Sequence, residues 1–564
     1  MNEPYLNAVR NLDNRIALVA SHAEVGAAAG DAIFPTENGL RQHAVLIADI
    51  ALSVMGYITP ESRFYRDASL PDAVLTLCRI DEKNINEDNT TNDTISNFHQ
   101  PDLFIMPTTC LAYRFWHAIP DKSEKEEEVD ERIYHLIKRL SAGLLESGFH
   151  TPNHRWVLTA ALFYAYNTLK DEDKDERLIE RARKFLAEKI DIDENGEYSE
   201  RSVGMYSAIT DRALCQIAVE AGMPELFAHV KKNLQLVWKF IERDSLIFTQ
   251  NSRRIDKGEV GSDLTFDFER YADICEMAYA NTHDEFFLQM LIHVMNRRRY
   301  PFHFPMTVMQ AIQYPELKDL DLTEKPMPEL PESFHVFYPS SRIVRARMGG
   351  VTCSLLGNHP AFLNVTVGNY TMSVRLCSAF FAIAQFTGET MEETAPGQYR
   401  LTFHATADYK LPFDEAPEGS EDYWSMDYQS RKSIARCDYF YTVDVTFRQN
   451  GITLHVSATG TDTVPMKLEF FFTPGLHVRA GDVMTMGNAD SFLCAKSGEV
   501  RLSAPSGEAF TLRGAFAKHF YHRDMRGSLP APKGKFAVYM TDFSPADHTV
   551  EILCETAHPW DFYD

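Results

Sequence analysis

The chain has 564 residues, more than a single hydrophobic core accommodates, so two or more domains are expected. Its 56 basic and 80 acidic residues leave a net charge of −24, which excludes a general nucleic-acid binder, because that function needs a basic field. No run of about 18 apolar residues occurs, so no membrane span is expected either.

The sequence begins Met1-Asn2-Glu3-Pro4-Tyr5, without a basic and apolar leader, and this points to a cytoplasmic enzyme. Nine scattered cysteines with no CxxC pair fit a reducing compartment, and neither a metal nor a cofactor is expected. Residues 84–100 are candidates to close over a cleft. The charged run from Asp121 to Glu131 reads as a solvated helix start. Ile133, Leu136, Ile137, Leu140 and Leu144 fall at helical spacing, with Gly148 placed to stop that helix. From Trp156 to Leu169 the chain is apolar enough for an inner helix. Leu214, Ile217, Ala218 and Ala221 form the next stripe, ended by Gly222, and Leu226, Val230, Leu234, Val237 and Ile241 the one after. Helices joined by short turns describe an array of α/α hairpins, an incomplete toroid over residues 1–324.

Residues 325–333 carry three prolines and read as a linker. From 334 to 564 the period becomes two. The run from Tyr441 to Arg448 alternates, Asn450-Gly451 supplies a type I′ turn signal, and the run from Ile452 to Ser457 alternates again. Segments starting at Leu468, Val500 and Phe536 continue the pattern, so the second domain is an antiparallel β-sandwich. There is no internal repeat with recurrent identities.

Three polar groups interrupt the helical half. Pro152-Asn153-His154-Arg155-Trp156 opens an apolar helix, where polar side chains can point into a cleft. The stretch from Asn195 to Tyr206 is irregular backbone leading into the helix from Ser207. The stretch from Thr249 to Asp256 is polar throughout and holds Arg253 and Arg254, whose guanidinium forks suit a carboxylate or sulfate. With so acidic a chain, an acidic ligand requires a local Arg/His cluster that overcomes the global field. The 12% aromatic content suits sugar-stacking faces as well as a large core.

Asn153-His154, about fifty residues before Tyr206, in a helical domain followed by a β-domain, resembles the heparinase II/III-like and alginate-lyase-like polysaccharide lyases. In those families a G-x-Y/F-x-E-x-S-x-x-Y stretch ends in a catalytic tyrosine. The corresponding stretch here runs Gly196-Glu197-Tyr198-Ser199-Glu200-Arg201-Ser202-Val203-Gly204-Met205-Tyr206. The resemblance implies a carbon–oxygen lyase that cleaves uronic-acid-containing oligosaccharides or polysaccharides by β-elimination. It assigns catalysis to Asn153, His154 and Tyr206. It also brings a histidine from the β-domain, for which His359 in Gly357-Asn358-His359-Pro360 is the candidate, and a second tyrosine, for which Tyr399 and Tyr409 are candidates. Arg155, Glu200, Arg253 and Arg254 are the expected substrate-binding residues.

The chemistry fits these residue types. Elimination removes the C5 proton of a uronate, and the adjacent carboxylate must be neutralised first. Asn153 and His154 suit that task through hydrogen bonds that strengthen as charge builds. Free tyrosine has a pKa near about 10, so Tyr206 can act as an acid unaided and needs nearby positive charge to act as a base. The alternatives are a glycoside hydrolase with paired carboxylates, drawn from Glu197, Glu200, Asp211, Asp263 and Asp267, and a non-catalytic carbohydrate-binding protein.

Overall fold

The structure is a computed structural model that describes residues 1–28, 42–93, 98–100, 104–242, 246–258, 266–296, 304–320, 322, 333–416, 421–521 and 525–556. Twelve α-helices among the described residues precede a region of two sheets. Six of the helices pack in series: Gln42–Ile58 on Met106–His117, then Pro152–Thr168, Tyr206–Glu220, Ala272–Thr282 and Phe304–Gln313. The last of these touches the first, so the series forms the inner ring of a toroid. The remaining six alternate with them on the outside.

Burial follows that division. Pro152–Thr168 is inner, and Trp156 through Ala165 are all buried. Glu176–Ala187 is outer and buries only Leu178, Ile179 and Ala182, leaving its charged face in water. The spacing from Ile133 to Leu144 lies on one buried stripe of the outer helix Glu124–Glu146. That helix starts at a capping box in which Ser123 and Glu126 satisfy each other's backbone N–H, so the charged run from Asp121 to Glu131 spans the N-cap and first turns of the helix. No described helix is long and apolar enough to cross a membrane.

Apart from the short hairpin Thr91–Asp93 with Phe98–Gln100 in the helical half, the described strands begin at Ser333–Tyr338. Most of the proline-rich segment lies outside the described residues. Two nine-stranded sheets then pack face to face, antiparallel throughout except where Phe492–Cys494 runs parallel to Phe536–Phe543. The Asn450-Gly451 turn differs from expectation. Arg448 pairs with Gly451, so Gln449 and Asn450 are the turn residues, and neither has the positive φ that a type I′ turn demands. Gly451 has a different reason to be glycine: a Cβ there would sit 2.0 Å from the Ile552 carbonyl oxygen of the neighbouring strand.

Strand Ile343–Met348 joins the halves. Val344 and Ala346 face the sandwich core, while Ile343 belongs to the helical core and Arg345 and Arg347 reach into the helical domain. Arg345 is fully buried. It donates to the Lys239 carbonyl at 3.1 and 3.2 Å and to Glu242 at 3.0 Å, and lies over the rings of Phe240 and Phe248. Phe248 begins the segment that carries Arg254, so this seam braces the base of the cleft wall.

Candidate active site

A cleft of about 540 Å³ opens on the inner ring. It is lined by residues in or just before the first turns of five of the six inner helices: Pro107, Asn153 and His154, Tyr206, Arg270, and Met306. Helix N-termini carry partial positive charge, so the wall favours an anion before any side chain is counted.

The second and third polar stretches meet behind this wall. The Asp256 carboxylate accepts from Ser202 Oγ at 2.8 Å, from the Gly204 N–H at 3.1 Å, and from Ser252 Oγ. Ser202 Oγ in turn accepts from the Tyr206 N–H at 3.1 Å. Gly204 is required by close approach, since a Cβ would meet Thr249 at 2.6 Å and Asp256 at 2.9 Å. The clasp delivers Arg254 onto Tyr206, with the guanidinium carbon 4.4 Å from the ring centroid. Among the described residues nothing hydrogen-bonds the Tyr206 hydroxyl.

Asn153 is fully buried beside them, but its donors are taken. Its backbone N–H and Nδ2 both donate to Glu200, at 3.1 and 2.7 Å, and Nδ2 also donates to Thr151 Oγ1 at 3.2 Å. Its Oδ1 is buried without a partner. In this conformation the unengaged polar capacity of Asn153 towards the cleft is its Oδ1 acceptor, while its Nδ2 is engaged by Glu200 and Thr151. Glu200, unlike Asn153, does not line the cleft. Burial raises its carboxyl pKa, while donation from Asn153 and the charge of Arg254, 3.5 Å away, pull it back. It holds Asn153 and Arg254 rather than substrate.

His154 lines the cleft, edge-on to Phe104 at 5.0 Å and to His150 at 4.4 Å. Arg155 points away: it pairs with Glu188 and Asp191, both at 2.9 Å, and lies over Trp156, because the helical period turns it off the cleft face. Arg253 is exposed and acts instead near Glu197, a carboxyl buried against the β-domain turn at Ser340 and Ser341.

The β-domain candidates are not brought to the cleft wall. His359 is buried, with Nδ1 bonded to the Ala361 carbonyl at 3.0 Å. Burial pushes its pKa down to about 4, with Lys257 adding to the effect, so it is neutral at neutral pH. It therefore sits near the segment that carries Arg254 without lining the cleft. Tyr399 alternates inward with Leu401 and Phe403 and is a sandwich-core residue, bonded to His335 at 2.7 Å and to Glu393 at 3.0 Å. Tyr409 is 58% exposed and packs against Phe381.

Sequence reasoning missed Arg212, Gln216 and Arg270, all of which line the cleft. Arg212 and Gln216 lie two and three turns along the helix that Tyr206 opens, so helical spacing carried a signal for them; Arg270 sits in a 3-10 turn and carried none. A larger cavity of about 640 Å³ lies between Glu124–Glu146 and Glu176–Ala187. Its cations Lys138 and Arg177 are paired with Asp173 and Asp175, so it offers an anion no seat. Asp88, Asn89 and Thr90, from the stretch expected to cover the cleft, line this outer cavity; residues 94–97 of that stretch lie outside the described ones.

No family model and no curated protein matches the sequence. Solved structures do. A Streptomyces coelicolor chondroitin AC lyase in complex with chondroitin sulphate aligns with a TM-score of 0.54 at 10% identity, over 98% of this chain and 83% of that one. Heparinase III aligns at 0.53 and 10% identity, over 93% and 79% of the respective chains. A Paenibacillus xanthan lyase aligns at 0.54 and 9% identity, over 95% of this chain but 57% of its own. These neighbours are polysaccharide lyases built from a helical toroid and a β-sandwich, and the chain has the fold of the heparinase-like polysaccharide lyases.

Proposed function

We propose that the protein is a polysaccharide or oligosaccharide lyase that cleaves next to a uronate by β-elimination. The observation that carries this reading is the composition of the cleft wall. Tyr206 lies under Arg254, the cleft is also lined by His154, Arg270 and by Arg212 on its buried partner Asp273, and no Asp or Glu is among the described lining residues. This is the local cationic cluster that an acidic ligand needs in so acidic a chain.

Arg254 and His154 bind the uronate carboxylate and stabilise the enolate that forms as the C5 proton leaves. Tyr206 takes that proton, with the guanidinium over its ring stabilising the developing phenolate. The electron pair becomes the C4–C5 double bond, the C4–oxygen bond breaks, and Tyr206 returns the proton to the departing oxygen. Atoms balance without water or a second reactant. Such acid–base help contributes roughly 10²–10⁴-fold, and charge stabilisation carries much of the rest.

A hydrolase needs two carboxylates flanking the bond. Of the acidic residues available, Asp211 is buried and accepts from Tyr198 at 2.6 Å, Glu200 faces Asn153, and Asp267 caps a turn. Glu197 lies at the domain seam, and Asp263 is outside the described residues.

The test is ultraviolet absorbance of unsaturated product on a panel of uronate-containing oligosaccharides. The expected result is a rise with wild type that Tyr206→Phe abolishes while keeping the fold. New reducing ends without absorbance would overturn the proposal in favour of hydrolysis.

A further inference from the structure

Glu197 stands where the two domains meet and does not line the cleft. It is 6% exposed, and its Oε1 is buried without a partner. The loop that carries it is tightly held. An antiparallel bridge joins Ile192 to Tyr198, and the Asp193 carboxylate accepts from the Asn195 and Glu197 N–H groups, both at 2.9 Å. Lys232 and Asn233 of the helix Leu226–Phe240 donate to the Asp193 and Gly196 carbonyls, at 2.8 and 2.7 Å. Gly196 has a φ of +91°, and a Cβ there would lie 2.3 Å from the Lys232 carbonyl oxygen, so the loop is pressed onto its helix. The helical side of the seam is therefore a firm socket.

The β-domain side is a turn. Residues 339–342 connect Ser333–Tyr338 to Ile343–Met348, and Tyr338 itself is buried in the helical core. Arg201 donates to the Ser340 carbonyl at 2.5 Å, Ser340 Oγ donates to Asp193 at 3.1 Å, and Ser341 faces Glu197. The Arg201 guanidinium is 3.6 Å from the Glu197 carboxyl, too far for a hydrogen bond, because it is engaged by the turn. The charged groups that face Glu197 are Arg201 and Asp193 from its own loop and Arg253 from the segment before Arg254. On the β-domain side Arg342 faces Arg201, and Tyr338 lies between Glu197 and Arg345. Burial raises the Glu197 carboxyl to about 7, while Arg201, Ser341 and Arg253 pull it down and Asp193 pushes it up. With the turn docked, an ionised Glu197 loses more hydration than these arginines return. Lifting the turn admits water and restores that hydration.

We propose that Glu197 is a proton-operated latch between the domains: the turn 339–342 stays docked while the Glu197 carboxyl carries a proton, and lifts from its socket when the carboxyl ionises. Release is local, because Arg345 and Arg347 keep the following strand seated on Glu242 and the Ile241 carbonyl. Arg201 adjoins Ser202 of the Asp256 clasp and Arg253 adjoins Arg254, so the latch supports the loops behind the cleft. It does not depend on the reaction assigned to the cleft.

The experiment is hydrogen–deuterium exchange of the full chain, read by mass spectrometry on wild type and Glu197→Gln, which stands in for the protonated carboxyl. The reporters are the Arg342 N–H, bonded to the Pro339 carbonyl at 3.3 Å, and the Gly357 N–H, bonded to the Arg342 carbonyl at 2.8 Å. Dividing the wild-type rate by the variant rate at each pH cancels the base catalysis of exchange. A carboxyl at about 7 when docked and at its usual 4.5 when released favours release more as pH rises, by about thirtyfold between about pH 5.5 and about pH 8.5. The ratio for these two amides should therefore climb by at least about tenfold over that range, while amides of the inner helix Pro152–Thr168 stay level. A ratio at the turn that does not change with pH overturns the latch. An equal climb in Pro152–Thr168 also overturns it, because the whole helical domain would then be opening. If Glu197→Gln does not fold, wild-type rates divided by those of unstructured peptides of the same sequence give the same factor, and a level value across the range overturns the proposal.

Discussion

Replacing Arg345 with Met should loosen the seam between the domains by a calculable amount. The Arg345 side chain is completely buried, its partner Glu242 is 4% exposed, and one Glu242 oxygen already lacks a partner. Removing the arginine leaves an uncompensated buried carboxylate, a change that costs about 3–5 kcal/mol. Methionine fills much of the volume and keeps the packing on Phe240 and Phe248, so the loss is electrostatic rather than a cavity. For a domain of about 150–250 residues, 1 kcal/mol moves Tm by about 2–4 °C, and the helical half is larger. A fall of about 5–10 °C in its transition is therefore expected. The double variant Arg345→Met with Glu242→Met removes both charges and should recover most of that fall, because a buried ion pair is often replaceable by apolar side chains at little net cost. The assay is differential scanning calorimetry of wild type, both single variants and the double variant. A single variant within about 2 °C of wild type, or a double variant that loses the sum of the singles, would refute the reasoning.

Glu200→Gln should lower kcat by about ten- to a hundredfold with a smaller change in KM, because it weakens charge-assisted bonds of about 1.5–3 kcal/mol that orient Asn153 and Arg254. A raised KM at unchanged kcat would show that Glu200 binds substrate directly. Glu197 gives a pH signature. Burial pushes its carboxyl up to about 7 from the usual 4.5, so its contribution to stability is fully present below pH 4.5 and lost as pH rises through about 7. Glu197→Gln should match wild type near pH 4.5 and exceed it above pH 7, by up to about 3 kcal/mol, in thermal unfolding across a pH series. A difference that does not vary with pH would show that Glu197 stays ionised in the fold.

Much of the architecture was legible in local pattern. The stripe from Ile133 to Leu144 and the apolar run from Trp156 marked outer and inner helices because burial on one side or on all sides leaves different periodicities. Tyr399 alternates at period two with Leu401 and Phe403 and all three lie in the sandwich core, a signal the choice of Tyr399 as a site candidate did not use. What local pattern could not carry was contact at long range. Nothing near Asn153 announces that Glu200, 47 positions later, takes its donors. Nothing in strand Ile343–Met348 says that its buried arginines face another domain instead of water. His359 shows the same limit: the loop was recognisable, but its distance from the cleft depends on how two domains dock.

The Asp256 clasp also bears on how this protein can change over generations. Ser202, Gly204 and Ser252 converge on one carboxylate behind the wall, so Tyr206 and Arg254 are registered from the rear. Ile209, Ala213 and Gln216, which line the same cleft, take no part in that registration. Those positions can therefore change while Tyr206 and Arg254 keep their geometry, so the scaffold separates the lining of the cleft from the registration of its rim.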